Sequence, residues 1–512
     1  MAAMFKRLLI ANRGEIALRI IRTAREMGIE SVAIFSEVDR AALHTRFAEI
    51  AYPLGGRTPR ESYLDIDKVI AAAKATGADA VHPGYGFLAE NSRFAKAVID
   101  AGLIWVGPPP AAIVDMGDKI GSRVLMRKAG VPIVPGLAAP VADAAEALVA
   151  AKEIGYPIAL KASAGGGGKG IRVVRAESEM EAAFRTASGE ALAAFGDGRM
   201  YPERYLDQPR HIEIQVLFDK HGLGVHYGER ECSIQRRHQK LVEECPSPII
   251  TPERRAAMGE AALKAARAVG YEGAGTVEFL WSKGEFFFLE MNTRLQVEHP
   301  VTEMVYGVDL VREQLRIAAG EPLGYTQESI QPRGWSIEVR INAEDPTSGF
   351  LPSTGTISNL RLPGGPWVRL DSALYRGLEV GLEYDPMLAK LIVWGPDRMT
   401  AIRRMKRALE ELNVGGVRTG APAALRVLRE ERFQKGDYDT HFLESLDQKA
   451  DILGLAPIAA AAAAVHRWNL ARRTALDPKS AGRQGWSARS RQRHSSYPVR
   501  PLDPRSAPEA KS

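Results

Sequence analysis

The segment Lys161-Ala162-Ser163-Ala164-Gly165-Gly166-Gly167-Gly168-Lys169-Gly170 follows directly on the apolar residues 156–160. Four consecutive glycines allow positive φ and let backbone N–H groups close on a phosphate chain, while Lys161 and Lys169 bring cations to its charge. The spacing is not GxxxxGK[ST], so no P-loop is expected. A glycine run alone reads equally well as a flexible hairpin loop. The flanking lysines and the strand before it favour a flap over phosphates.

A second group surrounds Glu278. Thr276-Val277-Glu278-Phe279-Leu280 and Phe286-Phe287-Phe288-Leu289-Glu290-Met291-Asn292 read as two strands joined by a turn over 281–285. In such a hairpin Glu290 and Asn292 share a face and Glu278 opposes them. Carboxylates set in an aromatic hairpin are costly unless a cation pairs them, and hard oxygen ligands beside a polyphosphate suit Mg²⁺. A solvated hairpin edge is the alternative, disfavoured by the neighbours Val277 and Phe279. Next comes Asn292-Thr293-Arg294-Leu295-Gln296-Val297-Glu298-His299-Pro300. Alternation predicts Asn292, Arg294, Gln296 and Glu298 as one polar row beside the metal, where a carboxylate serves as general base and a guanidinium anchors an anion. Taken alone, the row also reads as an ion pair on an exposed strand.

Glu231-Cys232-Ser233-Ile234-Gln235-Arg236-Arg237-His238-Gln239-Lys240 concentrates positive charge, either as an anion site or as a basic surface strand. His82-Pro83-Gly84-Tyr85-Gly86-Phe87-Leu88-Ala89-Glu90-Asn91 is a loop after a strand, where α/β sheets place ligands, though a tight structural turn explains it equally well. Cys232 has no local His/Asp arrangement and is expected to be a small buried side chain rather than a nucleophile.

The elements that must hold these residues alternate first between strand and helix. Apolar residues 7–11, 31–35, 79–82 and 104–107 alternate with helical spacing (Ile16, Leu18, Ile20, Ile21, Met27), which predicts a parallel sheet covered on both faces. No GxGxxG follows the first strand, so a dinucleotide is not expected there. A helix over 119–129 closes at Gly130. From Val131 to about Gly334 helices mix with alternating strands such as 211–216, whose period of two predicts an antiparallel, half-buried sheet. A third unit runs from Trp335 to about Glu444, with strand 336–341 and helix 400–412.

The chain has 512 residues, 45% hydrophobic and 25% charged, enough for about three globular domains. Of its 68 Lys/Arg and 62 Asp/Glu, residues 451–512 carry 11 and 4, which leaves 57 against 58 in the rest. The body is electrically balanced, and a nucleic-acid-binding face is not expected. Two cysteines and no CxxC speak against a disulfide scaffold or zinc and fit a reducing cytoplasm. The start Met1-Ala2-Ala3-Met4-Phe5-Lys6-Arg7 meets charge before an apolar stretch builds, so neither a signal peptide nor a membrane span is expected. Residues 459–464 are six consecutive alanines, and after Trp468 the composition turns to Arg, Ser, Pro and Ala. A small helix over 452–465 and a disordered tail are expected.

Taken in order, these segments resemble the biotin carboxylase family. Ile10-Ala11-Asn12-Arg13-Gly14-Glu15-Ile16, the 82–88 loop, the 161–170 loop, Arg210-His211-Ile212-Glu213, residues 235–240 and 290–299 carry the match, which covers about residues 5–444. The resemblance implies a mixed α/β and α+β fold. Its parts are a pre-ATP-grasp Rossmann-like domain (1–118), an ATP-grasp domain (119–334) with a mobile lid (about 131–205), and a C-terminal mixed α/β domain (335–447), with the tail over 448–512. It implies carboxylation of biotin by ATP and bicarbonate, with Mg²⁺ or Mn²⁺, two ions, as metal. Lys119 and Lys161 would hold ATP phosphates under Gly167 and Gly168. Glu203, Arg204, Tyr205 and Leu206 would grip adenine, and His211, Gln235 and His238 would contact the nucleotide. Glu278, Glu290 and Asn292 resemble the metal ligands, with the two glutamates also on ATP. Lys240, Arg294, Gln296 and the Val297 backbone would bind bicarbonate, Glu298 would deprotonate it, and Arg340 would stabilise the biotin enolate. Arg204 stands where the family often has Lys. No Ala/Val-Met-Lys-Met biotinylation site occurs. Biotin is therefore expected on a separate carrier protein, with a carboxyltransferase as a further partner and the chain itself a cytoplasmic homodimer. The alternatives are another ATP-grasp ligase, making a carbamoyl or acyl phosphate, and a non-catalytic assembly subunit.

Overall fold

The computed structural model describes residues 4–137, 140–162, 171–195, 198–236, 239–446, 461 and 463–468, the side chains of 119, 120, 171, 194 and 195 excepted. Compact units comprise Met1–Leu446 and Asp447–Ser512. In the second, residues 461 and 463–468 are helical; the rest of the expected tail lies outside the described residues, as do 163–170, with Gly167 and Gly168, and His238. No helix among the described residues is long and apolar enough to cross a membrane.

The N-terminal alternation gives a parallel five-stranded sheet in the order β3-β2-β1-β4-β5, with β1 Arg7–Ile10, β2 Glu30–Phe35, β3 Ile50–Pro53, β4 Ala80–His82 and β5 Ile104–Trp105. After Arg7, β1 is apolar at every position because both its faces are covered. Leu8 and Ile10 pack with Ile16 and Ile20 of helix Gly14–Glu26, while Leu9 packs on the other side with Val32, Val81 and Phe94.

The second sheet is antiparallel and eight-stranded. Its order is β13-β12-β9-β10-β11-β14, followed by Met387–Gly395 and Val368–Ser372, where β9 is Arg210–Phe218, β10 Gly224–Arg236, β11 Gln239–Cys245, β12 Gly273–Ser282, β13 Glu285–Asn292 and β14 Trp335–Asn342. It runs unbroken past Gly334, because β11 pairs with β14 from Val242↔Val339 to Cys245↔Ser336. Ile212, Ile214, Val216, Val277 and Phe279 meet helix Pro252–Arg267, and Ile337, Val339, Ile341, Leu391 and Val393 meet helix Arg398–Glu411. A small sheet, β7-β6-β8 (Ile171–Val174, Ile158–Ala162, Met200–Arg204), closes its own core with helices Ala144–Ile154 and Met180–Phe195.

Three expectations need correction. β9 is buried at all nine positions rather than half-buried, since its polar face (His211, Glu213, Gln215) meets other charged side chains and not water. β13 ends at Asn292, so residues 292–298 are not a strand-long polar row. Pro300 lies in the first turn of helix His299–Tyr306, which the chain must bend to enter. The β12–β13 turn is also tighter than 281–285. Only Lys283 (φ 50°) and Gly284 (φ 85°) connect the strands, both in the left-handed region that two-residue hairpins demand.

Candidate active site

Strand register builds the site. Glu290 on β13 pairs with Glu278 on β12, Glu278 with Glu213 on β9, and Glu213 with Arg230 on β10, a polar row across four adjacent strands. Arg230 is fully buried and uses each guanidinium nitrogen: Nε on Glu213, Nη1 on Gln215 (2.7 Å) and Thr302 (3.0 Å), Nη2 on Thr276 (3.0 Å). Lys240 enters from β11, where it pairs with Gln235. Its ammonium donates to Glu298 Oε1 at 2.6 Å, Glu213 Oε2 at 2.7 Å and Glu278 Oε1 at 3.2 Å. Glu298 sits at the N-cap of helix His299–Tyr306, and its second oxygen accepts from Arg340 Nη2 at 2.9 Å. Arg340 Nε in turn donates to Glu243 at 2.6 Å.

Residues 292–298 converge on this centre although they are not a strand. Asn292 Nδ2 and Gln296 Nε2 each donate to Glu278 Oε1 at 2.9 Å, and Arg294 donates to Asn292 Oδ1 (2.9 Å) and Gln296 Oε1 (2.7 Å). His211 Nε2 stands 2.8 Å from Glu278 Oε2. Val297 belongs to the turn before the helix, half-buried.

The electrostatics follow from this packing. Burial alone would pull the Lys240 ammonium down, but Glu213, Glu278 and Glu298 hold it well above the usual lysine range. Burial would raise Glu298, yet Lys240, Arg340 and Arg230 hold its carboxyl well below the usual range, and Lys240 and His211 do the same for Glu278. His211 is raised against its burial by Glu278. Cys232, whose Sγ lies 4.0 Å from Glu298, is buried, and its thiol is pushed well up by burial, so it is no nucleophile at neutral pH.

A cavity of about 210 Å³ opens beside this centre, lined by Glu90, Glu290, Asn292 and Thr293 on one side and by Met116 and Ser122 on the other. The donors bordering it suit a divalent cation shared with phosphate oxygens, namely the Glu290 carboxylate, the Asn292 amide oxygen and, behind them, the Glu278 carboxylate. Among the described residues two groups of His, Cys and Glu ligand atoms also converge, His211/Glu213/Glu278, which shares Glu278, and Glu213/Cys232/Glu298. The Lys240 ammonium already fills both, so neither fits a metal.

On the small sheet, Glu203 is buried between Lys161 and Arg123, the latter at 2.6 Å; burial would raise its carboxyl, and the two cations lower it. The N–H of Arg204 donates to Pro135 O and that of Tyr205 to Pro157 O, so neither is open to a ligand, while Leu206 follows directly. Gln235 is half-buried on β10, paired with Lys240 on β11. Lys119 opens helix Lys119–Lys128, but its side chain lies outside the described residues.

Residue-by-residue reading overlooked Glu213, Arg230 and Glu243. The overlooked signal was the matched alternation of β9 and β10: a polar face that pairs Glu213 with Arg230 neutralises itself and need not face solvent. The 82–91 loop also gains a clear task. Asn12 Nδ2 donates to the carbonyls of Pro83 (2.8 Å) and Tyr85 (2.7 Å), fixing the loop, and Glu90 at its end accepts from Thr293 N (3.1 Å) and Arg294 Nε (2.8 Å).

The chain is similar to known proteins over most of its length. The family models for the biotin carboxylase N-terminal domain, the carbamoyl-phosphate synthase L chain ATP binding domain and the biotin carboxylase C-terminal domain match residues 4–113, 118–326 and 338–445. The chain belongs to the biotin carboxylase family. It is 52% identical to biotin carboxylase 1 of Bacillus subtilis, over 87% of this chain and 99% of that one. It is 53% identical to a pyruvate carboxylase subunit from Methanothermobacter thermautotrophicus, over 88% and 91%. Among solved structures, the biotin carboxylase domain dimer of Hydrogenobacter thermophilus 2-oxoglutarate carboxylase, in complex with MgADP, ADP and bicarbonate, superposes with a TM-score of 0.80 at 50% identity, covering 86% of this chain and 98% of that one. The mixed fold expected from sequence is that of biotin carboxylase structures, and the members of the family are ATP-dependent ligases.

Proposed function

We propose that this biotin carboxylase family member carboxylates biotin on a separate carrier protein from ATP and bicarbonate through carboxyphosphate, the first half-reaction of an acetyl-CoA or related acyl-CoA carboxylase. The observation that carries this reading is Glu298, a buried carboxylate gripped on one oxygen by Lys240 and on the other by Arg340, 2.6 and 2.9 Å away. Two cations around one carboxylate make a site that can exchange that internal anion for a bound one. Bicarbonate enters against Lys240, Arg294, Gln296 and the Val297 N–H, and Glu298, loosened from Lys240, accepts its proton. The resulting dianion is held beside the γ-phosphate, which converts a bimolecular attack by a poor nucleophile into an oriented one. Lys119, Lys161, Gly167, Gly168, residues 203–206, His211, Gln235 and His238 are assigned to ATP. Glu278, Glu290 and Asn292 are assigned to Mg²⁺ or Mn²⁺, which when bound screens phosphate charge. Arg340 then faces the negative charge that develops on biotin as it loses its proton.

The acceptor lies with a separate transferase. Relatives named as subunits of pyruvate and 2-oxoglutarate carboxylases are 53% and 50% identical, on a par with those named biotin carboxylase, and favour a second reading in which a 2-oxo acid is carboxylated downstream. The relative solved as a dimer supports a homodimer here. The test is ADP release from ATP on addition of bicarbonate and free biotin. Turnover that needs both supports the proposal, turnover only with another acceptor indicates a different ligase, and none indicates an assembly role.

A further inference from the structure

Lys390 is a fully buried lysine to which no role has so far fallen. It lies in strand Met387–Gly395, in register between Arg340 on β14 and Asp371 on Val368–Ser372. Its ammonium donates to the Val297 carbonyl at 2.8 Å, stands 3.4 Å from Glu15 Oε1 and lies 5.6 Å from the centre of the Tyr85 ring. One cation therefore touches the start of helix Gly14–Glu26, the 82–91 loop and the turn that carries Glu298.

A buried ammonium is expensive, and a methionine would fill the same space without that cost. Glu15 offsets it weakly: burial pushes its carboxyl up to about 7 in spite of Lys390, and neither of its oxygens has a hydrogen-bond partner. Asp371 is already held by Arg369 at 2.8 Å. Besides positive charge facing Glu15, Asp371 and Glu338, the lysine supplies one directional contact that methionine cannot, the bond to the Val297 carbonyl. That carbonyl belongs to the peptide joining Val297 to Glu298, so holding it fixes ψ of Val297 and the plane from which the Glu298 side chain departs. The opposite end of the turn is pinned separately, by His299 Nδ1 against the Gln296 carbonyl at 2.8 Å.

We propose that Lys390 is a positioning residue for the bicarbonate step: from the neighbouring sheet strand it holds the Val297–Glu298 peptide so that the Val297 N–H and the Glu298 carboxylate face one bound bicarbonate. The inference rests on the carboxylation reading above and deepens it.

The test compares Glu15→Gln with the double variant Glu15→Gln/Lys390→Met in the full chain, since the pair removes one charge of each sign and Asp371 keeps Arg369. The expected result is a fall of about 10²-fold in kcat/KM for bicarbonate, the usual effect of a 1 Å misplacement, with KM for MgATP within about two-fold and a matching melting temperature. Unchanged bicarbonate kinetics overturn the proposal, and so does a parallel rise of both KM values with a lowered melting temperature, which marks a general scaffold role. Should the double variant not fold, Lys390→Arg decides. Retention of the cation and donor keeps KM for bicarbonate within about three-fold, and a ten-fold rise in a protein of native melting temperature contradicts the role. Absence of bicarbonate-dependent turnover in the wild type would instead remove the carboxylation reading before any variant is compared.

Discussion

Replacing Lys240 by methionine removes one ammonium from between three buried carboxylates, Glu298, Glu213 and Glu278, at 2.6, 2.7 and 3.2 Å. Deleting one partner of a buried ion pair costs about 3–5 kcal/mol. Arg230, Arg340 and His211 still offset the same carboxylates, which sets the expected loss near the lower end and appears as several degrees in melting temperature. The catalytic loss has a separate cause. A donor aimed at a developing anion is worth about 10²–10³ in kcat, and Lys240 is the cation that bicarbonate would meet. The two effects separate in Lys240→Met/Glu213→Gln, because the new amide oxygen still accepts from Arg230 Nε while one negative charge is gone. Thermal melts and ADP release with bicarbonate and biotin then read stability and activity independently. The double variant should regain stability but not turnover. Bicarbonate-dependent turnover within ten-fold of wild type in the single variant, or its recovery in the double, would refute the assignment of Lys240.

Glu290→Gln should leave the melting temperature unchanged and raise the Mg²⁺ needed for half-maximal turnover about ten-fold or more; an identical Mg²⁺ titration contradicts the ligand assignment. Glu15 is raised from 4.5 to about 7, so its proton is held more tightly in the folded state, and stability is lost as pH rises from 4.5 through 7. Glu15→Gln should accordingly be neutral at pH 5 and stabilise by up to ~3 kcal/mol at pH 8.5, read as the difference between melting curves at the two pH values. Glu298 and Glu278, held low, act in the opposite sense: their contribution is present above the ordinary carboxylate range and is lost as pH falls below it. Removing residues 451–512 should leave turnover within about two-fold, measured by the same ADP-release assay; loss of activity would make that segment structural.

Much of this was legible in the chain because its motifs are local. The apolar residues of β1 and the helical spacing of 16–27 foretold a covered parallel sheet, and the paired carboxylates of 276–292 foretold the hairpin register that sets Glu278 opposite Glu290. What local spacing could not supply was long-range, and only the resemblance grouped Lys240, Glu298 and Arg340 in one site. Lys240 and Glu298 are 58 residues apart and Arg340 and Glu298 are 42 apart, and only the strand order brings them together. The buried polar face of β9 was misjudged for the same reason, since alternation states which residues share a face but not whether that face meets water or an arginine from the next strand. The polar row of 292–298 kept its membership but not its geometry, because side chains as long as Arg294 and Gln296 reach a common point from a bent backbone.

The central claim is that an oxygen of bicarbonate, held at Lys240 and deprotonated by Glu298, attacks the γ-phosphate of ATP. Turnover with ¹⁸O-labelled bicarbonate in unlabelled water measures this directly. Label from bicarbonate is expected to appear in the released inorganic phosphate in proportion to biotin carboxylated. Phosphate that takes its new oxygen only from water, while biotin is still carboxylated, would contradict it.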